Sequence, residues 1–364
     1  MKRWGWHMQN PFTTTYSKIP ASSYIPTEQV EEILQNFTFE QPSESVYKIT
    51  GVRGSGKTVL LASVEQKMES EEMKQNGWYV YRLSPARDML RQLLSFLARD
   101  GIIKEKKKDR GANVSATILG TGGGIGITSS ADDLYTDVGV ELDAALKNAS
   151  AEGKKIMIGV DEVSRTQEMI VFTQELGGWI RAGYPVYLVC TGLYENIEQL
   201  YNVKNLTFFR RATTVKTEPL SQLRMSEVYR KTLGTDTSVA RQLAEMTKGY
   251  AYAFQKLGSL AFQEKAELHP DGLADDLRSE LFAYAYEKIW EEMSTEDRAL
   301  VSLLLDQEEY KKEEVVSRME KPQNYPVYRD RLLRRGILKS RQGYIGLALP
   351  YFADYIKEYG GVSL

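Results

Sequence analysis

The 364-residue chain is 42% hydrophobic and 26% charged, an ordinary globular composition with enough apolar material for two or three domains. A net charge of −2 excludes a global field that would draw the whole chain to nucleic acid or membrane and leaves only local patches for such contacts. One cysteine, Cys190, and two histidines, His7 and His269, exclude an internal disulfide framework and argue against a structural zinc centre.

The opening Met1–Trp6 has no apolar signal stretch, and no run approaches the roughly 20 apolar residues of a membrane span. The expectation is a soluble, cytoplasmic protein with no membrane contact. Residues 1–26 hold Pro11, Pro20 and Pro26 and read as an extended lead-in. Thr27 precedes Val30, Ile33, Leu34 and Phe37 at helical spacing. Val46–Thr50 reads as a buried strand that runs into a glycine loop, with a helix from Lys57 to about Gln75 behind it. Trp78–Leu83 is a second strand and Asp88–Arg99 a helix. Lys104–Lys108 is a charge run. Gly120–Gly126 fits no dinucleotide fingerprint and reads as a loop or irregular hairpin. Lys154–Val160 is a strand ending in Asp161-Glu162, Ile170–Arg181 a helix, Pro185–Cys190 a strand ending in Thr191, and Ala212–Thr217 a last short strand. Strands alternating with helices imply a parallel sheet covered on both faces. From Leu220 the strand pattern gives way to helices, with Leu281, Tyr284, Ala285 and Ile289 expected to face inward on Leu277–Glu292. Val327–Arg335 is the last helix, and two short extended pieces follow at Ile337–Ser340 and Ile345–Leu349.

Gly51-Val52-Arg53-Gly54-Ser55-Gly56-Lys57-Thr58 matches G-x-x-x-x-G-K-[ST]. Glycines let backbone amides crowd round phosphate oxygens, and the helix that follows adds unpaired amides and a positive dipole end. Lys57 would reach the terminal phosphates and Thr58 would coordinate magnesium. Asp161 would bind magnesium through water, and Glu162 would polarise the attacking water; the alternative is that the pair caps the next helix. Thr191 would orient water or sense the γ-phosphate, or it satisfies a strand end. Arg210 and Arg211 would reach the γ-phosphate of a neighbouring subunit, or are surface residues. The ligand expected is ATP or ADP with Mg2+, since no guanine-specifying Asn/Thr-Lys-x-Asp segment follows the acidic pair.

In this order the features resemble AAA+ ATPases, and more closely the Orc/Cdc6-like and STAND-like groups. Asn10-Pro11-Phe12-Thr13 and Gly249-Tyr250-Ala251-Tyr252-Ala253-Phe254-Gln255 carry part of that likeness. It implies an α/β P-loop NTPase core, a parallel sheet with helices on both faces, with a helical lid and a C-terminal winged-helix domain. The division is 1–26 lead-in, 27–218 core, 219–275 lid and 276–364 winged helix. The lid departs from the pattern, because Tyr250–Gln255 holds no sensor arginine and Gly249-Tyr250-Ala251 stands in place of Gly-x-Pro. Arg329, Arg331, Arg334, Arg335 and the wing residue Arg341 are the candidate contacts to double-stranded DNA. The alternative is that the module contacts protein, a homo-oligomer included, with Arg331 and Arg335 facing Glu291–Asp297. The function expected is a DNA-associated ATPase, or a signalling switch controlled by nucleotide.

Overall fold

The computed structural model describes residues 10–15, 19, 20, 22–103, 137–204, 206–264 and 269–361; the charge run at Lys104–Lys108 and the glycine segment Gly120–Gly126 lie outside them. The first half runs α1 (Glu28–Thr38), β1 (Val46–Thr50), α2 (Lys57–Met68), α3 (Glu71–Gln75), β2 (Trp78–Leu83) and α4 (Met89–Arg99). It continues with α5 (Val138–Ala151), β3 (Lys155–Val160), α6 (Gln167–Arg181), β4 (Val186–Gly192), α7 (Tyr194–Tyr201), α8 (Thr207–Arg211) and β5 (Thr213–Lys216). The single helix expected from Lys57 to Gln75 is broken at Glu69-Ser70, where the Ser70 side chain accepts from the Met73 amide and starts α3.

The strands form a parallel sheet of order β2-β3-β4-β1-β5. Alternate residues of each strand go to opposite faces. Val186, Leu188 and Cys190 of β4 pack beneath α4, α5 and α6, whereas Tyr187 and Val189 pack against α1 and α2. Both faces are therefore covered at the centre of the sheet, which is why β1, β3 and β4 read as near-continuous apolar runs, while the edge strand β5 is mostly exposed. Lys48 is the exception in β1. It is fully buried, donates from Nζ to the Phe209 carbonyl at 2.7 Å, and lies over the Tyr201 and Phe209 rings. Burial pushes its ammonium down to about 8.

The second half begins with α9 (Gln222–Leu233), α10 (Thr237–Met246) and α11 (Ala251–Glu264). Then α12 (Ala274–Leu281) passes through a π turn at Phe282–Tyr286 into α13 (Glu287–Glu291). The extra residue in that turn shifts the helical register, so Tyr286 and Ala285 are buried while Tyr284, expected inside, is half exposed. The chain ends with α14 (Thr295–Ser302), β6 (Tyr310–Lys311), α15 (Lys312–Arg318), α16 (Tyr325–Arg335), β7 (Leu338–Arg341), β8 (Tyr344–Leu347) and α17 (Phe352–Tyr359). β6, β8 and β7 pair antiparallel in that order. The β7–β8 hairpin turns at Gln342-Gly343, both at positive φ, as a two-residue turn matched to strand twist requires.

One hydrophobic cluster joins Phe12 and Ile25 of the lead-in, α9 to α11 and the C-terminal elements. No break in the core falls at 275/276, because Leu277 and Leu281 pack within the same cluster as Phe254 and Leu257. No helix among the described residues is long and apolar enough to cross a membrane.

Candidate functional site

β1 ends at the loop Gly51–Gly56, and α2 starts from it with Gly56 at φ 91. Gly54 lies at φ 71, and a Cβ there would stand 2.3 Å from Tyr250 Oη and 2.9 Å from Tyr252 Cβ, so this position tolerates only glycine. The loop is held from above by the first turn of α11. Tyr250 Oη donates to the Arg53 carbonyl at 2.5 Å, and the Tyr252 amide donates to the Gly54 carbonyl at 3.0 Å.

Lys57 Nζ donates to the carbonyls of Gly51 and Val52, each at 3.0 Å. Burial pushes its ammonium down to about 8; Asp161 opposes that shift and the Arg53 charge adds to it. Thr58 Oγ1 donates to Asp161 Oδ1 at 3.2 Å. Because β4 lies between β1 and β3, the Thr191 hydroxyl falls between the loop and Asp161. It donates to Asp161 Oδ1 and accepts from the Glu162 amide, 3.1 Å away. Thr191 is fully buried, and both hydrogen bonds of its hydroxyl go to the acidic pair. Glu162 is exposed at φ 56, a left-handed conformation that turns its side chain out of the strand line toward the cavity.

A cavity of about 390 Å³ opens over the loop, lined by Gly54 to Leu60, Glu162, Asn196, Thr217 and the first turn of α11. Its far wall was not read as part of a site from the sequence. Tyr24 and Ile25 of the lead-in, Gln255 of α11, and Tyr284 from the π turn all line it. Gln255 ties that wall together, with Oε1 accepting from the Thr13 amide and Ser23 Oγ, both at 3.0 Å. Tyr252 and Tyr284 stack with centroids 3.8 Å apart. The two segments that carry the sequence resemblance, Asn10–Thr13 and Gly249–Gln255, are thus in direct contact. That pairing was the available signal.

Thr58 and Asp161 offer one hydroxyl and one carboxylate at close range. These are hard oxygen donors of the kind that leave Mg2+ its remaining positions for phosphate and water. No group of three or more His, Cys, Asp or Glu suited to a metal occurs among the described residues.

Arg210 and Arg211 end α8 and are exposed. Thr213 pairs with Tyr47 at the start of β1, so these arginines flank the edge of the sheet opposite the loop. About 10 Å of strand separates them from it, and neither reaches the loop of its own chain.

The candidate DNA contacts are placed differently from one another. Arg331 is turned into the protein, its Nη2 2.7 Å from Asp297 Oδ1 and its Nε 3.0 Å from both carboxylate oxygens. Arg335 is 7% exposed, paired with Glu195 of α7 and 3.6 Å from Asp297. Arg334 Nη1 donates to Tyr194 Oη at 2.9 Å. Arg331 and Arg335 thus form ion pairs within the chain, at Asp297 of the acidic stretch Glu291–Asp297 that the alternative reading named, where the buried carboxylate needs compensating charge. Arg329 donates to Ser340 Oγ at 2.9 Å, and Arg341, the most exposed of the group, lies 3.2 Å from Glu309. The C-terminal end of α16 rests on the core. Lys216 Nζ donates to the Leu333 carbonyl, and Gly336 abuts Val52.

No family model and no curated protein matches the chain. Solved structures do. The Walker-type ATPase paby2304 of Pyrococcus abyssi superposes with a TM-score of 0.56 at 10% identity, covering 91% of this chain and 95% of that one. The Aeropyrum pernix ORC2 protein, in ADPNP–ADP complexes, superposes with a TM-score of 0.51 at 11% identity, covering 91% of each. At these identities the likeness is one of fold. The chain has the α/β P-loop NTPase fold that the sequence implied, and shares it with these two proteins.

Proposed function

We propose that the chain binds ATP with Mg2+ in this cavity, hydrolyses it, and uses the nucleotide state to set the position of a C-terminal winged helix. The observation that carries the reading is that Lys57, Thr58 and Glu162 line one cavity while Thr58 and the Glu162 amide are tied to Asp161 and Thr191 at the ends of β3 and β4. The loop amides and Lys57 hold the phosphates, and the wall of Tyr24, Ile25 and Gln255 receives the nucleoside. Magnesium, held by Thr58 and through water by Asp161, would neutralise phosphate charge. Glu162 draws the proton from the attacking water, with Thr191 fixing the acidic pair and Arg210 or Arg211 reaching a neighbour's nucleotide. The nucleotide complexes of the Aeropyrum pernix relative and the description of the Pyrococcus abyssi relative as an ATPase support the nucleotide.

The domain division proposed is 27–218 for the core, 219–275 for the lid and 276–364 for the winged helix. The order α14, β6, α15, α16, β7, β8 supports the last of these. DNA contact falls to Arg341 at the hairpin tip and to Arg329 beside it. A second reading, a switch that controls assembly or a protein partner, is favoured by the seating of α16 on the core.

The test is phosphate release and nucleotide binding by wild type, Lys57→Ala and Glu162→Gln. Lys57→Ala is expected to lose binding, and Glu162→Gln to keep binding while losing about 10²-fold or more in turnover. Undiminished turnover in Glu162→Gln removes that assignment. Retention of duplex DNA that depends on ATP and weakens steeply with salt supports the DNA reading; nucleotide-dependent assembly without retention supports the switch.

A further inference from the structure

Arg53 is the third residue of the phosphate loop and lines the cavity. Its Nη2 lies 2.7 Å from Glu292 Oε1, just past the end of α13. Its Nε is buried with no hydrogen-bond partner among the described residues. The guanidinium is thus incompletely satisfied where it stands, and its one ion pair is partly exposed on both sides. Pairs of that kind are weak and yield to a better anion.

A better anion is what the cavity is built for. The Arg53 charge is felt at Lys57, where it adds to the lowering of the ammonium, so two cations lie at one end of the same space. Among the described residues the lid supplies no cation there; its lining residues are Leu220, Ala251, Tyr252, Phe254 and Gln255. The Arg53 backbone is pinned by Tyr250 Oη, which leaves the side chain as the part free to swing. A terminal phosphate offers two or more charge-assisted hydrogen bonds in a fork that suits guanidinium; a diphosphate ends one group short.

We propose that Arg53 is the residue by which this site distinguishes a nucleoside triphosphate from a diphosphate, its guanidinium leaving Glu292 for the terminal phosphate. The inference rests on the reading of the cavity as a nucleotide site and adds its means of regulation. Glu292 follows the same helical run that carries Tyr284 into the cavity, so the exchange removes one tie between the loop and the C-terminal elements when the triphosphate arrives. That run stays stacked on Tyr252 through Tyr284.

The experiment is competition binding of ATP and ADP, each with Mg2+, to full-length wild type, Arg53→Gln and Glu292→Gln. Arg53→Gln is expected to lower ATP affinity about tenfold, the loss of a hydrogen bond to a charged group, and to leave ADP affinity within about twofold. Glu292→Gln, which leaves the loop intact, is expected to raise ATP affinity over wild type. An unchanged ATP-to-ADP ratio in Arg53→Gln, or equal loss of both nucleotides, overturns the inference while the nucleotide site stands. Failure of wild type to bind either nucleotide overturns both.

Discussion

Asp297→Asn tests whether the arginines of α16 serve the fold or an external ligand. Asp297 is 1% exposed. It sits in the first turn of α14, where its amide donates to Ser294 Oγ at 3.1 Å, and its carboxylate takes three contacts of 3.0 Å or less from Arg331 with Arg335 behind at 3.6 Å. Removing one partner of a buried pair costs about 3–5 kcal/mol, because the remaining charge is left uncompensated. Asparagine keeps the shape, the helix start and one acceptor oxygen, and the Arg331 side chain is 34% exposed, so solvent recovers part of the loss. The expected cost is about 2–3 kcal/mol, read as a lower urea midpoint at constant slope. A cycle with Arg331→Met should give a coupling above about 1 kcal/mol. A loss below about 1 kcal/mol with no coupling refutes the reasoning. If Arg331 met DNA instead, Arg331→Met would spare stability and lower the salt slope of duplex binding by about one.

Thr191→Val keeps shape but removes the hydroxyl shared by Asp161 and the Glu162 amide. Stability is expected to fall by about 1–3 kcal/mol, and the magnesium concentration for half-maximal phosphate release to rise. Unchanged magnesium dependence would mean Asp161 is oriented without Thr191. For Lys48 the sign follows from a folded-state pKa lowered from 10.5 to about 8. Between about pH 8 and pH 10 the unfolded chain holds a proton that the folded chain has released, so stability rises with pH across that window. Above it, tyrosines such as Tyr47, pushed up to about 12 by burial, act in the opposite direction. Lys57, also at about 8, adds a second share of the rise. Urea melts from pH 7 to pH 10 should therefore show a clearly smaller rise in Lys48→Met than in wild type; equal slopes would contradict the account of Lys48.

The sheet was legible because its central strands β1, β3 and β4 are buried along nearly all their length and read as short, mostly apolar runs between turn residues. Lys48 did not disturb the reading of β1, since a lone lysine in such a run can be absorbed by a helix end and two rings. The loop and the acidic pair were legible because phosphate chemistry fixes their residue types and spacing. Three things were hidden. The break after Met68 depends on a serine cap inside a continuous helical pattern. The exposure of Tyr284 depends on a π turn, and a count at 3.6 residues per turn puts that residue inside. The fates of Arg331 and Arg335 depend on Asp297 and Glu195, the latter over a hundred positions away, and charge alone does not say which way a guanidinium faces.

The π turn at Phe282–Tyr286 sets the angular phase of everything after it. Each residue of an α-helix turns the chain by about 100°, so the extra residue rotates the outgoing segment relative to the incoming one. Leu277 and Leu281 before the turn and Ile289 and Trp290 after it then all reach the one hydrophobic cluster. Removing one residue from this turn would let the hydrogen bonds close as an ordinary α-helix. It would also swing Glu292 and the 72 residues beyond it away from the loop by that angle. The seating of the C-terminal elements is in this sense a matter of timing along a single helix, kept by one residue that the helix does not otherwise need.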